Sequence, residues 1–188
     1  RRGGSEMSGR YEIRFSGSGG QGLILAGVIF AEAATIYDKI NAVQSQSYGP
    51  EARGGASKSE VIISEEVIDY PKATAIDLQL SLTQESCNKY YKDIKPDGIL
   101  LVDEDFVRDI PPGKFKVIKL PIIRTASEEI GKAFVANIVA TGAIAAITGK
   151  VTIESVEKAV LSRVPKGTEE MNKKALMTGY KMAKARMN

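Results

Sequence analysis

A glycine-rich stretch near the start of the chain, SGSGGQG from Ser16 to Gly22, has the residue types and spacing of a phosphate-binding turn. It follows the strand-like RYEIRF and precedes the helix-like LILAGVIFAEAATIYD. Glycines at G-x-G-x-x-G spacing allow a tight turn, after which the first amides of the helix can face an anion. The candidate ligand-binding or interface residues of this loop are Gly17, Ser18, Gly19, Gly20, Gln21 and Gly22.

The dinucleotide fingerprint also requires an acidic residue about 20 positions further on, where the second strand ends and a carboxylate binds a ribose hydroxyl. Asp38 comes too early for this role, and Glu51 lies beyond the turn-forming pair Gly49-Pro50. An independent NAD(P) or FAD site is therefore disfavoured. The alternative is a close-packed turn that holds no nucleotide of its own.

A second irregular loop, from Ser47 to Ala56, combines Gly-Pro and Gly-Gly pairs with one arginine and one carboxylate. The backbone conformation sets the shape of such a loop, and the aromatic and charged side chains project from it. Arg53 can clamp a phosphate or carboxylate through its planar guanidinium, or it forms only an exposed ion pair on a surface turn. Because the loop follows the second strand, we expect it at the carboxyl edge of a parallel sheet, beside the glycine loop. Its candidate residues are Tyr48, Glu51, Arg53, Gly54 and Gly55.

The remaining residues predict no catalytic group and no metal ligand in this chain. Histidine is absent and Cys87 is the only cysteine, which excludes internal disulfides, Cys₄ zinc sites and an iron–sulfur cluster held by this chain alone. The commonest general base is thus missing. The acidic run Asp103-Glu104-Asp105 is interpreted as helix-start residues after a strand, Cys87 as a packing residue, and Asn137 as a buried amide that bridges backbone groups.

The hydrophobic pattern predicts an α/β fold with a three-layer, Rossmann-like, mainly parallel sheet, helices on both faces and a helical C-terminal third. Strands are predicted near 10–16, 40–46, 57–64, 77–83, 98–103 and 116–121. Helices are predicted near 22–37, 84–94, 127–148, 152–163 and 168–186. Residues 10–188 are expected to form one domain after a tail at 1–9, in which Met7 fits a natural start.

Charge and hydropathy favour a cytoplasmic protein without nucleic-acid or membrane partners. The formal net charge is +3, which is too small to indicate nucleic-acid binding. No signal peptide is recognisable at the start. The most apolar run, 133–148, is shorter than the roughly 20 residues that span a bilayer, so it predicts a buried helix.

The two loops together resemble a known family. GSGGQG followed by QSYGPEARGGASKSEVIIS is similar to the gamma subunit of 2-oxoacid:ferredoxin (acceptor) oxidoreductases. The resemblance continues through PKA at 71–73, IKPDGILLVD at 94–103, NIVATGAIAAITG at 137–149 and EEMNKKALMTGYKMA at 169–183. The form YGPEARGGASKSEVII looks most like the 2-oxoglutarate branch, whereas pyruvate and branched-chain relatives vary around the Arg-Gly-Gly core.

This resemblance implies a non-autonomous subunit of an enzyme of anaerobic metabolism that converts a 2-oxoacid and coenzyme A into an acyl-CoA and CO₂ and reduces ferredoxin. Its partners would be alpha, beta and in some members delta subunits, with thiamine diphosphate and magnesium on alpha and beta and iron–sulfur clusters elsewhere. The glycine loop would then keep the geometry of a nucleotide-binding fold. It would serve in subunit packing and at the coenzyme A end of the site. Alternatives are a stand-alone nucleotide-binding or regulatory module, an NAD-dependent dehydrogenase, or a gamma subunit acting on pyruvate, branched-chain 2-oxoacids or indolepyruvate.

Overall fold

The computed structural model describes residues 9–46 and 55–188. The predicted site residues Tyr48, Glu51, Arg53 and Gly54 lie outside the described residues, as does nearly all of the predicted tail.

Six strands of the described residues form one mixed sheet in the order β2-β3-β1-β4-β5-β6. β1, β4, β5 and β6 are parallel neighbours, and β3 is antiparallel to both β1 and β2. β2 therefore runs in the direction of β1, and β3 alone is reversed, which confirms a mainly parallel α/β sheet. The strands are β1 Arg10–Gly17, β2 Asn41–Gln46, β3 Ser57–Ser64, β4 Ile76–Ser81, β5 Ile94–Asp103 and β6 Lys116–Leu120.

Most of the helical residues pack on one face of this sheet. Phe30 of the first helix meets Phe15 of β1 edge to face, with ring centres 6.3 Å apart, so this helix lies between the sheet and the later helices, as its all-round apolar sequence predicts. The helices are α1 Leu23–Glu32, α2 Gln84–Tyr90, α3 Ile122–Thr125, α4 Ala136–Thr148, α5 Ile153–Arg163 and α6 Glu169–Met187. A π-helical turn, Ala33–Tyr37, extends α1.

The helix α4 is buried along most of its length because α6 crosses it at a pair of glycines. A Cβ on Gly142 would meet the carbonyl oxygen of Leu176, and a Cβ on Gly179 would meet that of Val139. Only two glycines let the helix backbones approach this closely. Residues 135–146 of the apolar run are thus covered within the chain itself.

The opposite face carries α2, the 3-10 turn Tyr91–Asp93 and long loops, so helices cover both faces, as predicted. This layer is thinner and partly polar. Arg14 of β1 is 1% exposed, and its guanidinium lies 2.7 Å from Glu60 and 2.9 Å from Asp93. These carboxylates compensate a cation that would otherwise be costly to bury.

Two helix starts show how local sequence sets the element bounds. Thr152, the predicted cap, accepts a hydrogen bond from the Ser155 amide at 3.3 Å. Thr83 caps α2 in the same way through the Ser86 amide, at 3.2 Å. Each hydroxyl satisfies an amide that has no partner within the helix.

The predicted helix 127–148 is wrong in its extent. The helical segment begins earlier, at Ile122, and passes through a π-helical turn that ends before Gly131. Gly131 has φ 94°, a left-handed value that stops the helix, and α4 begins only at Ala136 after a short 3-10 turn. β5 also begins earlier than predicted, at Ile94.

Within the described residues, no helix combines the length and the apolar content that crossing a bilayer requires.

Candidate functional site

The glycine loop folds around the side chain of Gln21. Its Oε1 accepts a hydrogen bond from the Ser18 amide at 2.7 Å, and the Gln21 amide donates to the Ser18 carbonyl at 3.4 Å. Oε1 occupies the place where a Cβ on Gly17 would stand. Gly20 and Gly22 have φ of 87° and 73°. The sequence G-S-G-G-Q-G therefore encodes a turn that supports itself before α1 begins.

Asn137 at the start of α4 attaches this loop to the helical layer. Its side-chain nitrogen donates to the Gly22 carbonyl at 3.1 Å, and its oxygen accepts from the Ile138 amide at 3.0 Å. Asn137 is 5% exposed. The prediction of a buried amide that bridges backbone groups is confirmed, and Gly22 is held from outside the loop.

The first turn of α1 keeps its amides available. Gly22 supplies no side chain to cap the helix, and none of the described residues accepts a hydrogen bond from the Leu23 or Ile24 amide. A helix start of this kind carries partial positive charge and attracts anions.

A cleft of about 380 Å³ separates this helix start from the beginning of β3. Lys58 is part of the cleft lining, but its Nζ is directed away from α1 to the α2 side of the sheet, 3.7 Å from Glu60 and 5.4 Å from the ring centre of Tyr90. The cleft is lined by Ser18, Gly19, Gly20, Gly22, Leu23, Ile24, Ser57 and Lys58. It combines free amides with an apolar side, which suits an anionic group attached to an apolar chain.

Both ends of the second loop reach the same edge of the sheet. Ser57 pairs with Gly17, the first glycine of the other loop, and Gln46 pairs with Ser59. Gly55 has φ 100° and lies against the Glu85 carboxylate at the start of α2. The expected common edge agrees with this pairing, because β2 and β1 run in the same direction. The roles of Tyr48, Glu51, Arg53 and Gly54 stay predictions.

Two exposed apolar side chains lie at the helix starts beside the glycine loop. Ile24 is 45% exposed in the first turn of α1, and Phe134 is 69% exposed just before α4. The two helix starts are joined by the bond between Asn137 and Gly22. Sequence patterns did not single out Lys58, Ile24 or Phe134, because a lysine or an apolar residue at an element end carries no spacing signal.

The acidic run after β5 has a structural role. Asp103 accepts hydrogen bonds from the amides of Asp105, Phe106 and Ile123 at 2.9, 3.1 and 2.8 Å. Burial raises the pKa of this carboxyl. Asp103 thus holds a turn and the start of α3, in place of the helix start predicted at 103–105. Among residues 9–46 and 55–188, no group of three or more His, Cys, Asp or Glu side chains is arranged to hold a metal.

Cys87 is confirmed as a packing residue. Its side chain is fully buried in α2 against Leu100 and Val102, and burial raises the pKa of the thiol. A buried, protonated thiol is a poor nucleophile.

Comparison with known proteins gives matches along nearly the whole chain. The 2-oxoglutarate synthase subunit KorC of Methanocaldococcus jannaschii is 55% identical over 177 residues, which are 93% of this chain and 95% of the relative. The crystal structure of a keto/oxoacid ferredoxin oxidoreductase gamma subunit from Geobacter sulfurreducens matches with a TM-score of 0.89 and 59% identity, covering 95% of this chain and 99% of that one.

A more distant structure shows the fold alone. The 2-oxoglutarate:ferredoxin oxidoreductase of Magnetococcus marinus is 23% identical, with a TM-score of 0.80; the match covers 94% of this chain but 31% of that longer one. The family described as pyruvate ferredoxin/flavodoxin oxidoreductase matches residues 12–182. Because that match and the KorC relative both extend over most of the sequence, the chain belongs to the pyruvate ferredoxin/flavodoxin oxidoreductase family.

Proposed function

We propose that this chain is the gamma subunit of a thiamine-dependent 2-oxoacid:ferredoxin oxidoreductase of the cytoplasm, with 2-oxoglutarate as the 2-oxoacid. The observation that carries the proposal is 55% identity, over 95% of the relative's length, to a protein named as a 2-oxoglutarate synthase subunit. A relative named as a pyruvate synthase subunit is 31% identical over 173 residues. The difference favours 2-oxoglutarate over pyruvate.

The reaction is an oxidative decarboxylation. The bond between C1 and C2 of 2-oxoglutarate breaks and C1 leaves as CO₂. A thioester forms between C2 and the sulfur of coenzyme A, the thiol proton is released, and an electron pair passes to ferredoxin. Thiamine diphosphate, with magnesium on the alpha and beta subunits, would supply the carbanion stabilisation that such a decarboxylation needs, and iron–sulfur clusters of the complex would carry the electrons.

For this chain we assign binding and assembly. Anionic groups of coenzyme A would lie at the free amides of α1, and the apolar side of the cleft would take the uncharged part of the molecule. Arg53 would pair either with a coenzyme A phosphate or with a carboxylate of a partner subunit. Ile24 and Phe134 would be covered by the alpha or beta subunit, since exposed apolar side chains beside a functional loop are typical of interfaces.

Purification of the native complex tests the assignment of the subunit. We expect this chain to co-purify with thiamine-dependent alpha and beta subunits and the complex to reduce a viologen dye only with 2-oxoglutarate and coenzyme A together. Co-purification without thiamine-dependent subunits would contradict the proposal.

Substitution of Arg53 separates its two proposed roles. Losing a desolvated charge pair costs roughly 2–5 kcal/mol, or about 30-fold or more in affinity. If Arg53 binds coenzyme A, Arg53→Ala raises the apparent KM for coenzyme A and leaves the KM for 2-oxoglutarate unchanged. If it binds a partner subunit, gel filtration shows that the gamma subunit dissociates. Arg53→Lys restores little in either case, since an ammonium cannot reproduce a bidentate contact. Unchanged assembly and unchanged kinetic constants in Arg53→Ala would mean that Arg53 has neither role and belongs to an exposed surface turn.

A stand-alone nucleotide-binding module is the second candidate, favoured by the free amides of α1. Calorimetric titration of the isolated chain with NAD⁺, ATP and coenzyme A distinguishes the two. Tight binding of NAD⁺ or ATP by the chain alone, without the other subunits, would favour the module.

A further inference from the structure

β6 forms the outer edge of the sheet, and no strand of the described residues pairs with it on its outer side. It pairs with β5 on one side and is last in the strand order. The Glu104 amide donates to the Leu120 carbonyl at 2.9 Å on the β5 side. Successive residues of a strand direct their backbone groups to opposite edges, so Val117 and Lys119 direct theirs outward. An edge of this kind is a template for another strand.

A groove of about 280 Å³ runs beside this edge, where the end of α6 approaches β6. Arg186 donates to the Lys119 carbonyl, so one outward acceptor is already used. Met187 is 43% exposed and adds apolar surface. The groove is lined by Lys116, Val117, Ile118, Lys119, Arg186 and Met187. It offers an extended segment both backbone hydrogen bonds and side-chain contacts.

The groove is positively charged. Lys116 and Lys119 are exposed, and Arg186 is compensated only in part. Its guanidinium lies 3.6 Å from Glu104, a carboxylate that also lies 3.3 Å from Arg124. Pairing with β6 of a second copy would place four lysines at one edge, and like charges that face each other on adjacent strands destabilise the pair. A segment with carboxylates would be attracted to the same side chains.

We propose that β6 docks an extended acidic segment of another subunit of the oxidoreductase by strand addition. The outward groups of Val117 and the Lys119 amide bind the backbone of the segment, and Lys116, Lys119 and Arg186 bind its carboxylates. Strand addition of this kind takes affinity from the backbone and specificity from the side chains. The inference rests on the proposed function, because it places the occupant in the same assembly.

Amide hydrogen exchange tests the docking directly. In the native assembly we expect the Val117 and Lys119 amides to exchange about tenfold more slowly than in the isolated chain, because docking gives them acceptors. The Lys116 and Ile118 amides face β5 in both states and serve as the internal control. Equal exchange of Val117 and Lys119 in an intact assembly would overturn the docking and leave the proposed function standing. Absence of the chain from any such assembly would overturn both.

A charge reversal tests the chemistry of the occupant. Lys116→Glu/Lys119→Glu should abolish the protection of the Val117 and Lys119 amides in the assembly, with the Ile118 amide unchanged. Lys166→Glu/Lys174→Glu makes the same change of charge at exposed positions; Lys174 lies about 18 Å along α6 from Arg186. This control should keep the protection. Protection that persists in Lys116→Glu/Lys119→Glu would overturn the proposal of an acidic partner segment. The same conclusion would follow if protection in the isolated chain rose with its concentration, because that would indicate self-pairing.

Discussion

Gly22 adopts a left-handed backbone conformation and also leaves room for a neighbouring side chain. A pair of substitutions separates these two effects on stability. It has φ 73° and its Cα faces the side chain of Asn137, whereas Gly20 has φ 87° with open space around it. An alanine at either position adopts a left-handed conformation at about 1–2 kcal/mol. Gly22→Ala also displaces Asn137, which adds about 1–3 kcal/mol. Urea denaturation should therefore show a larger loss of unfolding free energy for Gly22→Ala than for Gly20→Ala.

Equal losses in the two variants would show that Asn137 can move aside at no cost. The loop would then be held by Gln21 alone.

Asp38, just after the π-helical turn, gives a pH-dependent contribution to stability. Its carboxylate accepts from the Thr152 amide at 2.8 Å and from the hydroxyls of Thr152 and Ser155 at 2.9 and 2.5 Å. Burial opposes ionisation, but these hydrogen bonds outweigh it and lower the pKa of Asp38 below its usual value. The contribution is therefore complete above the unfolded-state pKa of about 3.9 and is lost as the pH falls through the lower folded-state pKa.

Comparison of the protein with Asp38→Asn measures this contribution. Asparagine keeps the shape but not the charge, so the variant should melt at a lower temperature at about pH 6, and the gap should narrow towards about pH 2. A gap that is constant over this range would assign the effect to geometry rather than to ionisation.

At the level of elements, the glycine pair between α4 and α6 sets how closely the helices approach. Gly142→Ala or Gly179→Ala would place a methyl group against a carbonyl oxygen of the facing helix. Overpacking of this kind costs about 1–3 kcal/mol or more, although alanine is the better helix former. Lys181→Ala, at an exposed position of α6, is the control and should change the unfolding free energy by less than about 0.5 kcal/mol. Stability unchanged in Gly142→Ala would contradict the close approach.

The elements that local sequence could predict are those with a local signal. β1, the glycine loop and α1 follow one another with distinct periodicities, and Thr152 has the side chain that a cap requires. The break at Gly131 was missed because a single glycine is tolerated within a helical pattern, and its left-handed conformation is not visible in the sequence. The reversal of β3 was not predicted either, since strand direction depends on pairing across the sheet rather than on the strand's own residues.

The residues of the candidate site also divide into those with a local sequence signal and those without one. The glycine loop was visible in the sequence because its backbone conformation requires glycine. Asn137 was placed correctly by the general behaviour of buried amides. Lys58, Ile24 and Phe134 meet the loop only through the tertiary fold, so no spacing in the sequence could connect them with it.

At the scale of the whole molecule, we expect the purified chain to be colourless and to turn over no 2-oxoacid with coenzyme A and viologen. With one cysteine and no histidine, it lacks the ligands for a cluster and the commonest general base. The measurement is viologen reduction by the chain alone, with a mock purification as the baseline. Adding alpha and beta subunits should restore activity, and turnover without them would contradict a non-autonomous subunit.

A polar substitution at the exposed Phe134 should weaken the proposed interface with the alpha and beta subunits. Phe134→Ser should weaken association with the alpha and beta subunits by about tenfold or more, as expected for a buried aromatic contact, with little effect on the melting temperature of the isolated chain. Phe106→Ser is the control, since Phe106 is also exposed, at 55%, but lies in the turn after β5. Equal losses of affinity in both variants would place the interface elsewhere.

The single buried thiol, that of Cys87, allows local opening of the protein to be measured. Cys87 is inaccessible in the thin layer on the α2 side of the sheet, so a thiol reagent can label it only when that layer detaches or the chain unfolds. Because it is the only cysteine in the sequence, the rate of labelling needs no assignment and measures one opening event. Followed during assembly, the same rate would show whether binding of partner subunits stabilises the face of the sheet opposite the main helical layer.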